Sequence, residues 1–110
     1  MAGGGNMTEC LVYMTAGSAE EAVRIGSALV DERLAACVNV IEPMTAIYRW
    51  QGEVKRDTEA VFIAKTRQEL VDALTERVIA LHSYECPCVV ALPITGGNQA
   101  FLDWIDAETG

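Results

Sequence analysis

This chain is short of positive charge, has almost no histidine and carries no long apolar run. Each shortage excludes something. Eight Lys and Arg face sixteen Asp and Glu, a formal charge of −8. Nucleic-acid binding needs clustered cations to neutralise phosphates, so a nucleic-acid partner is excluded. The same imbalance disfavours anionic membrane surfaces and leaves cations and cationic ligands open. No apolar stretch approaches the roughly 20 residues of a spanning helix, so no membrane partner is expected. His82 is the only histidine, which rules out a His–His metal pair within one chain. A Walker loop, a G-x-G-x-x-G turn and a G-x-S-x-G elbow are all missing. The chain is therefore expected to act by binding rather than as an enzyme.

What is present is one domain's worth of core. The chain has 110 residues, 51% of them hydrophobic, enough for one buried core and too few for two domains. Residues 8–110 read as a single domain, and residues 1–7 (MAGGGNM) as a flexible tail. The tail lacks the basic start and apolar stretch of a secretory signal, and Met7 reads as a second possible start. Four cysteines without an export signal point to reduced thiols and a cytoplasmic location.

The periodicities give an α+β chain in the order β-α-β-β-α-β with a closing helix. Cys10–Thr15 is an apolar, β-branched run bounded by Gly17 and reads as a buried strand. Ser18, three before Glu21, is a capping box, and Ala22, Ile25, Leu29 and Leu34 follow at helical spacing from about Ala19 to Glu32 or Arg33. Ala36–Gln51 and Glu53–Lys65 read as the two arms of a long hairpin turning near Gly52. Pro43 predicts a bulge or an edge position. Thr66 and Glu69 form a second capping-box pattern ahead of the stripe Leu70, Leu74, Val78, Leu81. His82–Pro87 is a loop, Cys88–Ile94 a fourth strand, and Asn98 caps a helix carrying Phe101, Leu102, Trp104 and Ile105. This is the ferredoxin-like arrangement: one antiparallel sheet with both main helices on one face.

Sixteen extended residues from Ala36 to Gln51 span about 50 Å, whereas a domain this long should measure roughly 35 Å across. The hairpin must bend, curl over its own sheet or project. A projecting arm carrying Ile47, Tyr48 and Trp50 exposes apolar surface and unpaired edges unless another chain covers them. An obligate oligomer built by strand addition is expected.

The segments LAACVNVIEPMTAIYRWQGEV, EAVFIAKT, LHSYECP and FLDWI resemble the CutA divalent-cation-tolerance family across about Thr8 to Ala107. Ala36-Cys37-Val38-Asn39, Tyr48, Trp50, Gly52, Glu59, Lys65-Thr66, His82, Tyr84, Pro87 and Trp104 fall on its pattern. The resemblance implies a ferredoxin-like fold assembled as a homotrimer through intersubunit strands, a cytoplasmic role in tolerance of copper and other divalent cations, and no catalytic reaction. Some bacterial members bind copper through a first-strand Cys and two adjacent histidines. The matching positions here are Met14, Leu81 and His82, and Met14 is a candidate thioether ligand for Cu(I). Where many members read His-Pro-Tyr-Glu-x-Pro-Glu, this chain reads His82-Ser83-Tyr84-Glu85-Cys86-Pro87-Cys88.

Those residues also form the most metal-like grouping in the sequence. Imidazole and thiolate suit copper and zinc, and His82, Cys86 and Cys88 lie within seven residues. The two cysteines, at i and i+2, point to one side of an extended chain about 6–7 Å apart. The structural alternative makes Cys88 the start of a buried strand, Cys86 a loop thiol and His82 a helix C-cap. Cys10 and Cys37 read as core residues. Glu59, Lys65, Tyr84 and Glu85 are the polar residues placed in a cleft near a subunit boundary, and it is the resemblance, not the spacing, that brings Tyr84 and Trp50 to it. Acidic groups there could bind a cation, and the alternative is a Glu59–Lys65 ion pair of little energetic consequence. Two functional readings follow: a trimeric protein that binds copper or another divalent cation weakly, and a regulatory trimer, analogous in fold to PII signalling proteins, that senses a small molecule in its intersubunit clefts.

Overall fold

The computed structural model describes residues 8–110; the expected tail, residues 1–7, lies outside the described residues. Four strands and three helices follow in the expected order: β1 (Glu9–Ala16), α1 (Ala19–Asp31), β2 (Cys37–Trp50), β3 (Glu53–Arg67), α2 (Val71–Leu81), β4 (Val89–Pro93) and α3 (Gln99–Ala107). The strands form one antiparallel sheet in the order β2-β3-β1-β4.

Alternation along β1 decides which face is covered. Cys10, Val12, Met14 and Ala16 are buried, and their neighbours across the ladder, Phe62 and Ala64, are buried with them. Against this face pack Ala22, Ile25 and Leu29 of α1 and Leu74 and Val78 of α2, a single core. Cys10 joins it, whereas Cys37 is only half-buried, and all four thiols are free. A smaller cluster of Ala36, Leu102 and Ile105, with Ile94 against it, seats α3.

Local signals set most boundaries. Ser18 Oγ accepts the Glu21 N–H at 3.1 Å, and Asn98 Oδ1 accepts the Ala100 N–H at 3.1 Å, so both expected caps form. The hairpin turns at Gln51 and Gly52, whose φ angles of 50° and 82° are the paired left-handed values of a type I′ turn. Ladder register slips between Ile41 and Met44, the bulge expected around Pro43. The second capping box does not form. Thr66 is fully buried inside β3 and its Oγ1 donates to the Leu34 carbonyl at 2.7 Å, so the hydroxyl is unavailable as a cap. A 3₁₀ turn at Gln68–Leu70 leads into α2 instead.

The hairpin projects. The described chain measures 49 × 26 × 22 Å, with a radius of gyration of 14.9 Å against about 13 Å for a compact chain of this length.

Candidate functional site

Where β1 runs into α1, side chains from four segments converge. Glu21, in the first turn of α1, only half completes its capping box. Its Oε2 accepts the Ser83 N–H at 2.7 Å and its Oε1 the Ser83 hydroxyl at 3.0 Å, and together they fasten the 82–88 loop to the helix. Arg24 adds a guanidinium 3.8 Å from Glu21 and donates to the Leu81 carbonyl at 3.3 Å. Burial works against the charge on Glu21, but donation from Ser83, the neighbouring His82 and the Gly17 N–H outweigh it and hold the carboxyl below its ordinary range.

His82 ends α2, its N–H returning to the Val78 carbonyl at 2.9 Å as the C-cap alternative predicted. Its imidazole is fully buried. Nδ1 accepts the Tyr84 N–H at 3.0 Å and Nε2 donates to the Thr15 carbonyl at 2.8 Å, which fixes the tautomer and occupies both nitrogens. The ring lies 4.7 Å from that of Tyr84, tilted by 47°. Its surroundings thus make His82 a positioning residue: it joins the end of β1 to the loop and orients Tyr84.

Tyr84 reaches back to β3, its hydroxyl donating to Glu59 Oε2 at 2.5 Å. Burial first, then this bond and the nearby carboxylates, push the phenol well above its ordinary pKa, so it stays a donor. On the hairpin Tyr48 repeats the pattern, donating to Asp57, and that bond raises its pKa too. Rings of Tyr48, Trp50 and Tyr84, with Glu85, Cys86 and Cys88 from the loop and Thr15 from β1, enclose a cleft of about 350 Å³. Burial, followed by the Glu59 charge, raises the Cys88 thiol and keeps it protonated.

Trp50, Tyr84 and Glu85 therefore meet at one cleft, with Glu59 hydrogen-bonded beside it. Lys65 is elsewhere: it donates to Asn39 on β2 and lines a separate hollow with Leu11, Ile94 and Phe101. Glu59 and Lys65 each have other partners, so the ion pair is not formed. The metal set is not gathered. Among the described residues no three His, Cys, Asp or Glu side chains lie close enough to hold one ion, so His82, Cys86 and Cys88 are not a ready triad. Met14 is fully buried between Phe62 and Val89 in the ladder. An imidazole with both nitrogens occupied, a thioether in the core and a protonated thiol do not fit a resident metal ion. Sequence reading overlooked Glu21 and Asp57. For Glu21 a signal existed, since S-x-x-E marks a carboxylate at a helix start, but its partner Ser83 lies 62 residues away.

Residues 10–108 match the family described as CutA1 divalent ion tolerance protein. The chain belongs to that family. The divalent cation tolerance protein (Cut A1) of Thermus thermophilus is 51% identical over 93% of this chain and 99% of its own, with a TM-score of 0.91. The periplasmic divalent cation tolerance protein CutA of Archaeoglobus fulgidus is 43% identical over 91% of this chain and 97% of its own, with a TM-score of 0.88. The chloroplastic protein CutA 1 of Oryza sativa subsp. japonica is 44% identical over 90% of this chain, which spans 56% of it. The resemblance seen in the hairpin and loop segments is thus family membership, and the ferredoxin-like α+β fold is that of solved CutA1 structures. CutA1 proteins are named for divalent-cation tolerance and are not a known enzyme family. Names of relatives include chloroplastic and periplasmic members, and no helix among the described residues is long and apolar enough to cross a membrane.

Proposed function

We infer that this CutA1 protein acts without catalysis as a cytoplasmic homotrimer in divalent-cation tolerance, meeting copper or zinc at low affinity. Family membership supports the cation, and the single carrying observation in the chain is that Cys86 and Cys88 line one cleft with Glu85 at the loop surface. Cys86 is exposed and offers the accessible sulfur. Cys88 must first lose a proton that its burial retains. His82 can join only if Nδ1, its unprotonated nitrogen, releases the Tyr84 N–H, or if the ring changes tautomer and Nε2 releases Thr15. Each condition costs affinity, so binding is weak and transient. Titration of the reduced protein with Cu(I) and Zn(II) should give dissociation constants of about micromolar or weaker, rising about tenfold in Cys86→Ala and less than threefold in His82→Ala. Equal affinity in wild type, Cys86→Ala and Cys86→Ala/Cys88→Ala removes the assignment.

A second reading, a regulatory trimer of PII-like architecture that senses a small molecule, is favoured by a different observation. Three aromatic rings bound a cleft of about 350 Å³, within the size range of small-molecule sites.

A further inference from the structure

The rings and the charges of this cleft act on the same space. The Tyr48 hydroxyl donates to Asp57 and the Tyr84 hydroxyl to Glu59, so each phenol proton is committed to a carboxylate. The cleft is left with ring faces, the two weakly polar thiols of Cys86 and Cys88, the Thr15 side chain and one carboxylate, Glu85. Across the ladder Tyr48 faces Lys55 and Trp50 faces Glu53. Lys55, the cation on that side of the hairpin, is bridged to Glu53 at 3.1 Å. With Glu53 and Lys55 offsetting each other, the charges left by the rings are Asp57 and Glu59 at the two phenol hydroxyls and Glu85 in the cleft lining, all negative, in a chain of net charge −8. An anionic ligand would meet carboxylates and an ammonium already bridged, and a neutral apolar ligand would leave that field unused. A cation with an apolar skin satisfies both features. The negative faces of Trp and Tyr attract it, and it need not strip hydration from a compact metal ion.

We propose that the Tyr48–Trp50–Tyr84 cleft is a binding site for organic ammonium ions, methylated amines above all. Trp50 and Tyr84 supply the cation–π faces, and Glu85 supplies charge from the loop. In the single chain Trp50 is exposed by 51% and Tyr84 by 37%. Tyr84 is held for this task. His82 packs on its ring, Glu59 takes its hydroxyl, and the absence of a side chain at Gly17 leaves room, since a Cβ there would stand 3.3 Å from the Tyr84 oxygen. This inference rests on the small-molecule reading and adds its ligand class.

The test is a titration of the reduced full-length protein with tetramethylammonium chloride, matched in ionic strength with sodium chloride. Tert-butanol serves as the neutral partner of similar size. The expected result is saturable shifts of the Trp50 indole and Tyr84 amide resonances with a dissociation constant of about millimolar or tighter, and tert-butanol weaker by about tenfold. Trp50→Leu should weaken the ammonium about tenfold, and Glu85→Gln should weaken it about threefold while lowering its salt dependence. Should Trp50→Leu fail to fold, Glu85→Gln carries the comparison alone. Equal binding of tert-butanol in the cleft overturns the ammonium assignment and leaves the small-molecule reading standing. Absence of saturable shifts in the cleft with both probes overturns both.

Discussion

Asp106, near the end of α3, has a buried Oδ1 with no hydrogen-bond partner among the described residues, and the Glu9 carboxyl is the acidic neighbour that acts on it most. Two neighbouring carboxylates repel unless one of them holds a proton. Burial, then the Glu9 contact and charge, push Asp106 up to about 6, against an opposing pull from Arg67 on β3 and a further push from Asp103. Arg67 is itself shared with Glu69 at 2.8 Å and Thr109 at 2.9 Å, so it neutralises the pair only in part. Glu9 is further engaged by the Thr8 hydroxyl at 2.5 Å. Between its ordinary value of 3.8 and about 6 the folded chain holds a proton that the unfolded chain lacks. Stability therefore rises as pH falls from 7 to 5, the reverse of the usual carboxylate behaviour. Glu21 works in the opposite sense, its contribution fading as pH drops through its depressed pKa and so below the 5–7 window. The guanidinium midpoint should be higher at pH 5 than at pH 7.5. Asp106→Asn, whose amide can donate to Glu9, should flatten that slope and raise the pH 7.5 midpoint by about 0.2 M. A variant with the wild-type slope would show that the pair is not its source. At this scale the sequence was least informative. His82 reads as a ligand because it is the sole imidazole, yet its role is set by a carbonyl 67 residues away. Lys65 and Glu59 share a strand face, yet each is claimed by a different neighbour.

Elements follow local signals until burial contradicts them. In α1, Gly26 faces Val38 of β2, and a Cβ at Gly26 would stand 2.9 Å from Val38 Cγ1 and 3.3 Å from its Cβ. Gly→Ala in a helix interior ordinarily stabilises by about 1 kcal/mol. Here the new methyl meets a β-branched side chain with little χ1 freedom. Overpacking should win, and Gly26→Ala is expected to cost about 1–3 kcal/mol by denaturant unfolding. Gly26→Ala/Val38→Ala should be more stable than Val38→Ala alone, because the clash is gone while the helix keeps its gain. Additive losses would mean that the close approach does not set the helix–strand distance. The same reasoning separates the legible caps from the illegible one. Ser18 and Asn98 lie at exposed helix starts, where sequence pattern alone decides. Thr66 carries an equally good pattern, but β3 runs through it, and the Leu34 carbonyl takes its hydroxyl. A four-residue signature cannot report whether its first residue is inside the sheet. Strand order and hairpin length, by contrast, are functions of long periodic segments, and these were readable.

For the whole molecule the governing fact is that 49 Å of length is supported by a core occupying one end. Ile47 and Val54 on the arm are exposed by 66% and 65%, and Ile41, Val90 and Leu92 on the helix-free face of the sheet by 51–54%. Such surface is expensive to leave in water, and β2, fourteen residues long, is an open edge with Ile41 and Ile47 along it. The other edge is β4. Strand addition between identical chains that joins one edge to the other is head-to-tail, and head-to-tail contacts either close into a ring or grow without limit. Charge disfavours growth, because every added copy brings eight more negative charges. A small closed ring satisfies edge, apolar face and charge together, and three copies is the number the family resemblance implies. Sedimentation equilibrium at about 10 µM chain should return three chain masses with no monomer and no larger species. Ile47→Glu/Leu92→Glu, which puts a carboxylate on both surfaces without touching the core, should shift the mass towards one chain and lower the guanidinium midpoint by about 1 M or more, since each protomer loses the burial its neighbours supplied. A wild-type chain that stays monomeric and stable, with Trp50 withdrawn from solvent, would show that the arm folds back on its own sheet, and the crevice between copies would disappear with it.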